Sequence, residues 1–149
     1  MTYFAYISLE TDDKILVFTL DPNTGKLTQT RTAPVSGRPA ALAISPDRRF
    51  LYVGRRGALD IASFSIDQEN GDINQIGSAP LQGEPVALAT DRKGRYVLSA
   101  YYYQRTVGVH RVENGAAVTP AVEWLMTAPG AHSIQTDPSN RFAFVPHIA

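Results

Sequence analysis

The sequence predicts an all-β protein, a β-propeller of four-stranded antiparallel blades that is incomplete at about three blades and part of a fourth. Two observations carry this. Pro39 and Pro85, Phe50, Tyr96 and Phe142, Asp21 and Asp67, Gly25 and Gly71, Tyr6 and Tyr52, and Phe18 and Phe64 recur at a spacing of 46 residues. A period of that length with no helical segment inside it is that of a propeller blade. The second observation is one hairpin written three times, as ISPDRRFLYV, TDRKGRYVLS and TDPSNRFAFV.

Alternation and turn residues divide the repeat into strand positions A to D. Position A is the apolar run Ala40 to Ile44, then Val86 to Thr90, then His132 to Thr136. Position B is Phe50 to Val53, Tyr96 to Ser99 and Phe142 to Val145. The intervening turns, such as Ser45-Pro46-Asp47-Arg48, hold the Pro, Asp, Asn and Gly that tight turns require. Position C is Ile15 to Leu20, Asp60 to Ile66 and Thr106 to Arg111; position D is Leu27 to Thr32, Ile73 to Ala79 and a less regular stretch near Val122 to Met126. The C-to-D turns Asp21 to Gly25 and Asp67 to Gly71 are equally plain, and the third shortens to Glu113-Asn114-Gly115. The opening MTYFAYISLE reads as a strand. Residues 1–149 are thus expected to form one partial propeller domain, with blade 1 (strands B to D) at about 1–35, blade 2 at 36–82, blade 3 at 83–128 and the start of blade 4 at 129–149. Closed rings hold roughly four to eight blades. The chain is therefore expected to be a fragment with two open edges able to pair with other chains.

Composition narrows the partners. Fourteen basic and fourteen acidic residues cancel, so the field that draws nucleic-acid backbones or anionic lipid is missing, and neither nucleic acid nor membrane is expected as a partner. No cysteine is present, which removes disulfides and thiolate metal sites and fits a reducing, cytoplasmic compartment. The N-terminal stretch has no basic region of a signal peptide.

Blade topology decides which residues can meet. The A-to-B and C-to-D turns lie on one face; the D-to-A and B-to-C connections lie on the other. The second face collects Arg38, Glu84 and His132 with Arg55, Arg56, Tyr101, Tyr102, Tyr103, Gln104 and His147. His132 stands where the two earlier repeats place Ala40 and Val86, so a polar residue replaces a core-type residue beside the central channel. His147 follows fifteen positions later. His110 replaces Phe18 and Phe64 at position C, away from the axis, and reads as structural.

The runs ISPDRRFLYVGRR, SAYYYQRTVGVHRVENG and APGAHSIQTDPSNRFAFVPHIA resemble the 6-phosphogluconolactonases of the seven-bladed β-propeller lactonase family, which also includes a fungal carboxymuconate-lactonizing enzyme. The resemblance covers essentially the whole chain and about the first half of a family member. It implies seven blades, hydrolysis of 6-phosphogluconolactone in the pentose phosphate pathway, and a small-molecule sugar lactone as partner. It also implies that further cationic and acidic site groups come from later blades. The 149-residue product alone is expected to be poorly active.

Opening a δ-lactone needs a base for the attacking water, donors for the oxyanion and, for a phosphosugar, cations. No metal or organic cofactor is required. Histidine, with an ordinary pKa near ~6.5, suits the base role, and His132 aligns with the histidine that the lactonizing family member places at its site. Arg55, and behind it Arg56, are candidates for phosphate or carboxylate; Tyr101 and His147 are candidates for sugar hydroxyls. Two alternatives remain open: a non-catalytic propeller interaction module, and muconate-type lactonization by proton abstraction and ring closure. The sequence shows no G-x-S-x-G elbow, no H-E-x-x-H helix and no phosphate-cradling P-loop.

Overall fold

A computed structural model describes residues 3–148, which form fourteen strands and one turn of 3-10 helix at Glu10–Asp12. Strands β1 (Tyr3–Leu9), β2 (Lys14–Leu20) and β3 (Leu27–Pro34) make a three-stranded sheet; β4 (Pro39–Ile44), β5 (Phe50–Arg55), β6 (Asp60–Ile66) and β7 (Ile73–Pro80) make a four-stranded one. The third sheet joins β8 (Ala87–Thr90), β9 (Tyr96–Tyr101), β10 (Thr106–Glu113), β11 (Ala116–Ala117) and β12 (Glu123–Met126). A last pair is β13 (Gln135–Thr136) with β14 (Ala143–Phe144). All pairings are antiparallel. The sheets stack as successive blades, with β4 packed against β8 and β8 against β13 as the innermost strands.

The repeated turns owe their form to repeated chemistry. At the first turn of each hairpin a side-chain oxygen accepts from the backbone five residues on: Ser45 Oγ from Phe50 N at 2.9 Å, Asp91 Oδ1 from Tyr96 N at 2.8 Å and Asp137 Oδ1 from Phe142 N at 2.9 Å. Arg48, Gly94 and Asn140 each take a left-handed φ there, at 63°, 65° and 61°. The C-to-D turns close with Asp21 and Asp67 accepting from Asn23 N and Glu69 N, both at 2.8 Å.

Strand parity builds the core between blades, since successive side chains point to opposite faces. In β5, Leu51 and Val53 join Ile15, Val35, Ala62 and Phe64 between the first two blades. Tyr52 turns the other way, to Leu88 and Val97 between the second and third. In β9 the alternation repeats, with Val97 and Tyr101 facing back to the second blade while Leu98 and Ala100 face forward to Ala131 and Ile134. Each fully buried Leu, Ile or Val stabilises this stack by about 1.5–3 kcal/mol.

Neighbouring blades also interlock through glycines. A Cβ on Gly71 would lie 2.6 Å from the Phe4 ring, and one on Gly115 would lie 2.1 Å from the Phe50 ring. Phe4 and Phe50 occupy equivalent places in β1 and β5, so an aromatic ring of one blade sits on the turn glycine of the next. Gly25 holds the same turn place in the first blade and meets nothing within 4 Å.

Three strands depart from expectation. The third outer strand, expected near Val122 to Met126, is split: β11 pairs with Val112 and Glu113 of β10, and β12 with Thr106–Val109. The shortened turn explains it, because Asn114 and Gly115 both have positive φ (50° and 84°) and close a two-residue hairpin at once. Pro120 then follows with no N–H for a ladder. In the fourth blade the run expected as strand His132 to Thr136 pairs only at Gln135–Thr136, and Phe142 to Val145 only at Ala143–Phe144. His132 lies instead beside a separate single bridge, Ala131 with His147.

Candidate functional site

The loops leading into β4, β8 and the 130–132 segment share one face with the loops after β1, β5 and β9. Position in the repeat decides where each side chain reaches. The last residue of a B strand, Arg55 or Tyr101, has the parity of Leu51 and Val97 and faces back toward the preceding blade. The next residue, Glu10, Arg56 or Tyr102, reaches forward across the rim. Glu10 Oε1 accepts from Arg38 at 2.6 Å and Glu10 Oε2 from Arg56 at 3.1 Å, while Arg56 Nε donates to the Pro85 carbonyl at 3.2 Å.

This parity separates the four residues nominated from sequence. Arg55 is a structural cation: its Nε and Nη2 donate to the two Asp60 oxygens at 2.8 and 2.5 Å, and Nη1 donates to the Ser36 carbonyl at 3.1 Å. Both side chains of the pair are only 12% exposed, and three of the five guanidinium N–H groups are spent on Asp60 and Ser36. The hydrogen bonds that Arg55 donates to Asp60 push its pKa further up. Tyr101 is fully buried, tilted against Trp124 at 5.3 Å between ring centroids, with its hydroxyl donating to Ser99 Oγ at 2.9 Å. Burial drives its phenol pKa well up, the Ser99 bond opposing. It packs the core.

His132 and His147 come together in backbone and part in side chain. His132 N donates to the Pro146 carbonyl and Ile148 N to the Gly130 carbonyl, each at 3.0 Å. Ala131, paired with His147, is fully buried. Residues paired across a bridge share a face, so His147 turns inward, and its Nε2 is shielded from solvent without a partner. His132 stands on the opposite face, exposed, and no hydrogen bond holds either of its ring nitrogens among the described residues.

The side chain that sequence reasoning left in the background is Tyr102. Its ring stands edge-on to His132, with centroids 6.1 Å apart and planes at 83°. Its hydroxyl donates to the Ile148 carbonyl at 3.3 Å, and Tyr103 packs on it edge-to-face at 5.1 Å. Parity along β9 was the available signal: if position 101 faces inward, position 102 is the one that reaches the rim. His110, read as structural, is fully buried edge-on to Trp124 at 5.6 Å.

A cavity of about 500 Å³ runs along the innermost strands, past Leu42 and Ala43, Leu88 and Ala89, and Gln135 and Thr136. Among the described residues no group of three or more His, Cys, Asp or Glu is placed to hold a metal. No helix there is long and apolar enough to cross a membrane. Chemically, the face presents an imidazole with free nitrogens at the rim and, farther round, two arginines held by one glutamate.

Comparison with known proteins fits this geometry. The family profile described as Lactonase, 7-bladed beta-propeller, matches residues 2–148. A 6-phosphogluconolactonase of Yersinia pestis (strain Pestoides F) is 35% identical over 146 residues, covering 98% of this chain and 43% of that protein. Among solved structures, a protein of Bacteroides uniformis superposes with a TM-score of 0.83 at 17% identity, over 95% of this chain and 43% of its own. The periplasmic gluconolactonase of Pseudomonas aeruginosa superposes at 0.81 and 22% identity, over 99% and 47%. The chain spans less than half the length of these relatives. With the profile matched almost end to end and the blades stacked as described, the chain belongs to the seven-bladed β-propeller lactonase family.

Proposed function

We propose that this chain supplies the part of a lactone hydrolase site that carries the general base, in a ring acting on 6-phosphogluconolactone or a close phosphorylated sugar lactone. The observation that carries the reading is His132. Of the four residues nominated from sequence, it alone sets a polar group with free nitrogens on the exposed face of the rim. Its imidazole can take a proton from the water that attacks the lactone carbonyl and return it to the ring oxygen as the acyl bond breaks. Arg55 is engaged with Asp60, so the phosphate is met by other cations; Arg38, half exposed and bound through one nitrogen to Glu10, is the first candidate on this face. Phosphorylated sugars are held in the cytoplasm by their charge, and a cytoplasmic site of action goes with this substrate.

The test uses a complete ring in which residues 1–149 replace the matching portion of the Yersinia pestis relative. Opening of 6-phosphogluconolactone is followed by proton release above the spontaneous rate. Removing the base in His132→Ala is expected to lower kcat by about 10²–10⁴-fold; a variant with the parent rate would end the assignment. Turnover of a cyclic muconate in place of the sugar lactone would point to lactonization instead. The 149-residue protein alone is expected to hydrolyse the lactone poorly.

A further inference from the structure

We infer that Tyr102 is a positioning residue that fixes the orientation of the His132 imidazole. A closed set of contacts surrounds His132. Gly130 O accepts from Ile148 N, Ile148 O accepts from the Tyr102 hydroxyl, the Tyr102 ring stands edge-on to His132, and His132 N donates to Pro146 O. Every link but the aromatic one involves backbone, so the frame around His132 is stiff, while the imidazole itself has no hydrogen bond to set its torsions. An exposed histidine with no partner samples several rotamers. The Tyr102 ring limits this; it comes from the adjoining blade and is anchored at its far end by Ile148. Edge-to-face packing has a preferred geometry and so transmits orientation as well as contact. Tyr103 packs edge-to-face on Tyr102 at 5.1 Å. A base displaced by about 1 Å from its working position costs up to ~10²-fold in rate, so this contact bears directly on turnover.

The inference deepens the base role proposed for His132 but is tested apart from it. In the 149-residue protein the imidazole Cε1–H and Cδ2–H resonances of His132 are assigned by their loss in His132→Gln. They are then compared in Tyr102→Leu, which removes the ring, and Tyr102→Phe, which removes only the anchor. The expected result is that both resonances move toward free-peptide values in Tyr102→Leu and part of the way in Tyr102→Phe. Resonances unchanged in both variants would overturn the inference. If Tyr102→Leu loses the amide dispersion of the β8–β10 sheet, Tyr102→Phe decides alone, and unchanged resonances there overturn it equally. In the complete ring, Tyr102→Leu is expected to lower kcat by about 10-fold at unchanged KM. Loss of activity in His132→Ala with full activity in Tyr102→Leu would keep the base and remove the positioning role.

Discussion

A single buried ring shows how a residue departs from its repeat. His110 takes the place held by Phe18 and Phe64 in the earlier blades, is wholly shielded from water, and has no hydrogen-bond partner at either nitrogen. Burial holds its pKa below the ordinary histidine value. In the unfolded chain the same ring takes up a proton near ~6.5. As pH falls through that value the unfolded chain binds a proton that the folded chain refuses, so stability drops; above it, His110 adds no pH dependence. His110→Phe is expected to flatten the fall in urea midpoint between about pH 7 and pH 5. A mutant that keeps the parent slope would clear His110 as its source. The sequence displayed this site as a broken repeat, and its structural reading needed nothing more. Arg55 and Tyr101 were different: their residue types suited a substrate, and the direction of each side chain, Arg55 onto Asp60 and Tyr101 into the core, was not legible from type alone. That direction follows from strand parity combined with knowing which neighbour lies on which side, and the second part requires the assembled stack.

Among elements, the hairpins were the most legible, because turn chemistry is local. Ser45, Asp91 and Asp137 make the same bond three times. Pairing that depends on partners farther away was less legible, as the split of the third outer strand into β11 and β12 shows. The turn glycines join both scales. Gly25, Gly71 and Gly115 all have positive φ, at 72°, 80° and 84°, so alanine at any of them carries a left-handed penalty of about 1–2 kcal/mol. At Gly71 and Gly115 the added methyl would also strike Phe4 or Phe50, which raises the cost by about 1–3 kcal/mol of overpacking. Gly115→Ala is therefore expected to lower the denaturation midpoint clearly more than Gly25→Ala. Equal losses would mean that backbone conformation alone selects glycine there.

For the whole molecule, the last two blades expose large apolar side chains. Phe142 is 59% exposed, Phe144 61% and Met126 82%, although Phe142 stands in the repeat where Phe50 is covered by the next blade. Exposed apolar side chains of this kind favour association in water. Light scattering is expected to give a mass above the 16.3 kDa of one chain, falling toward it in the double variant Phe142→Asp, Phe144→Asp; a monomeric mass for the parent at tens of micromolar would remove the expectation. The aromatic-on-glycine joint has one more implication. It is directional, with each blade offering a ring ahead of it and a glycine behind it, so every junction is head-to-tail and turns the same way. Curvature is then set joint by joint rather than by any long strand, and loosening one ring from its glycine would re-aim every blade beyond it, rim and histidine included.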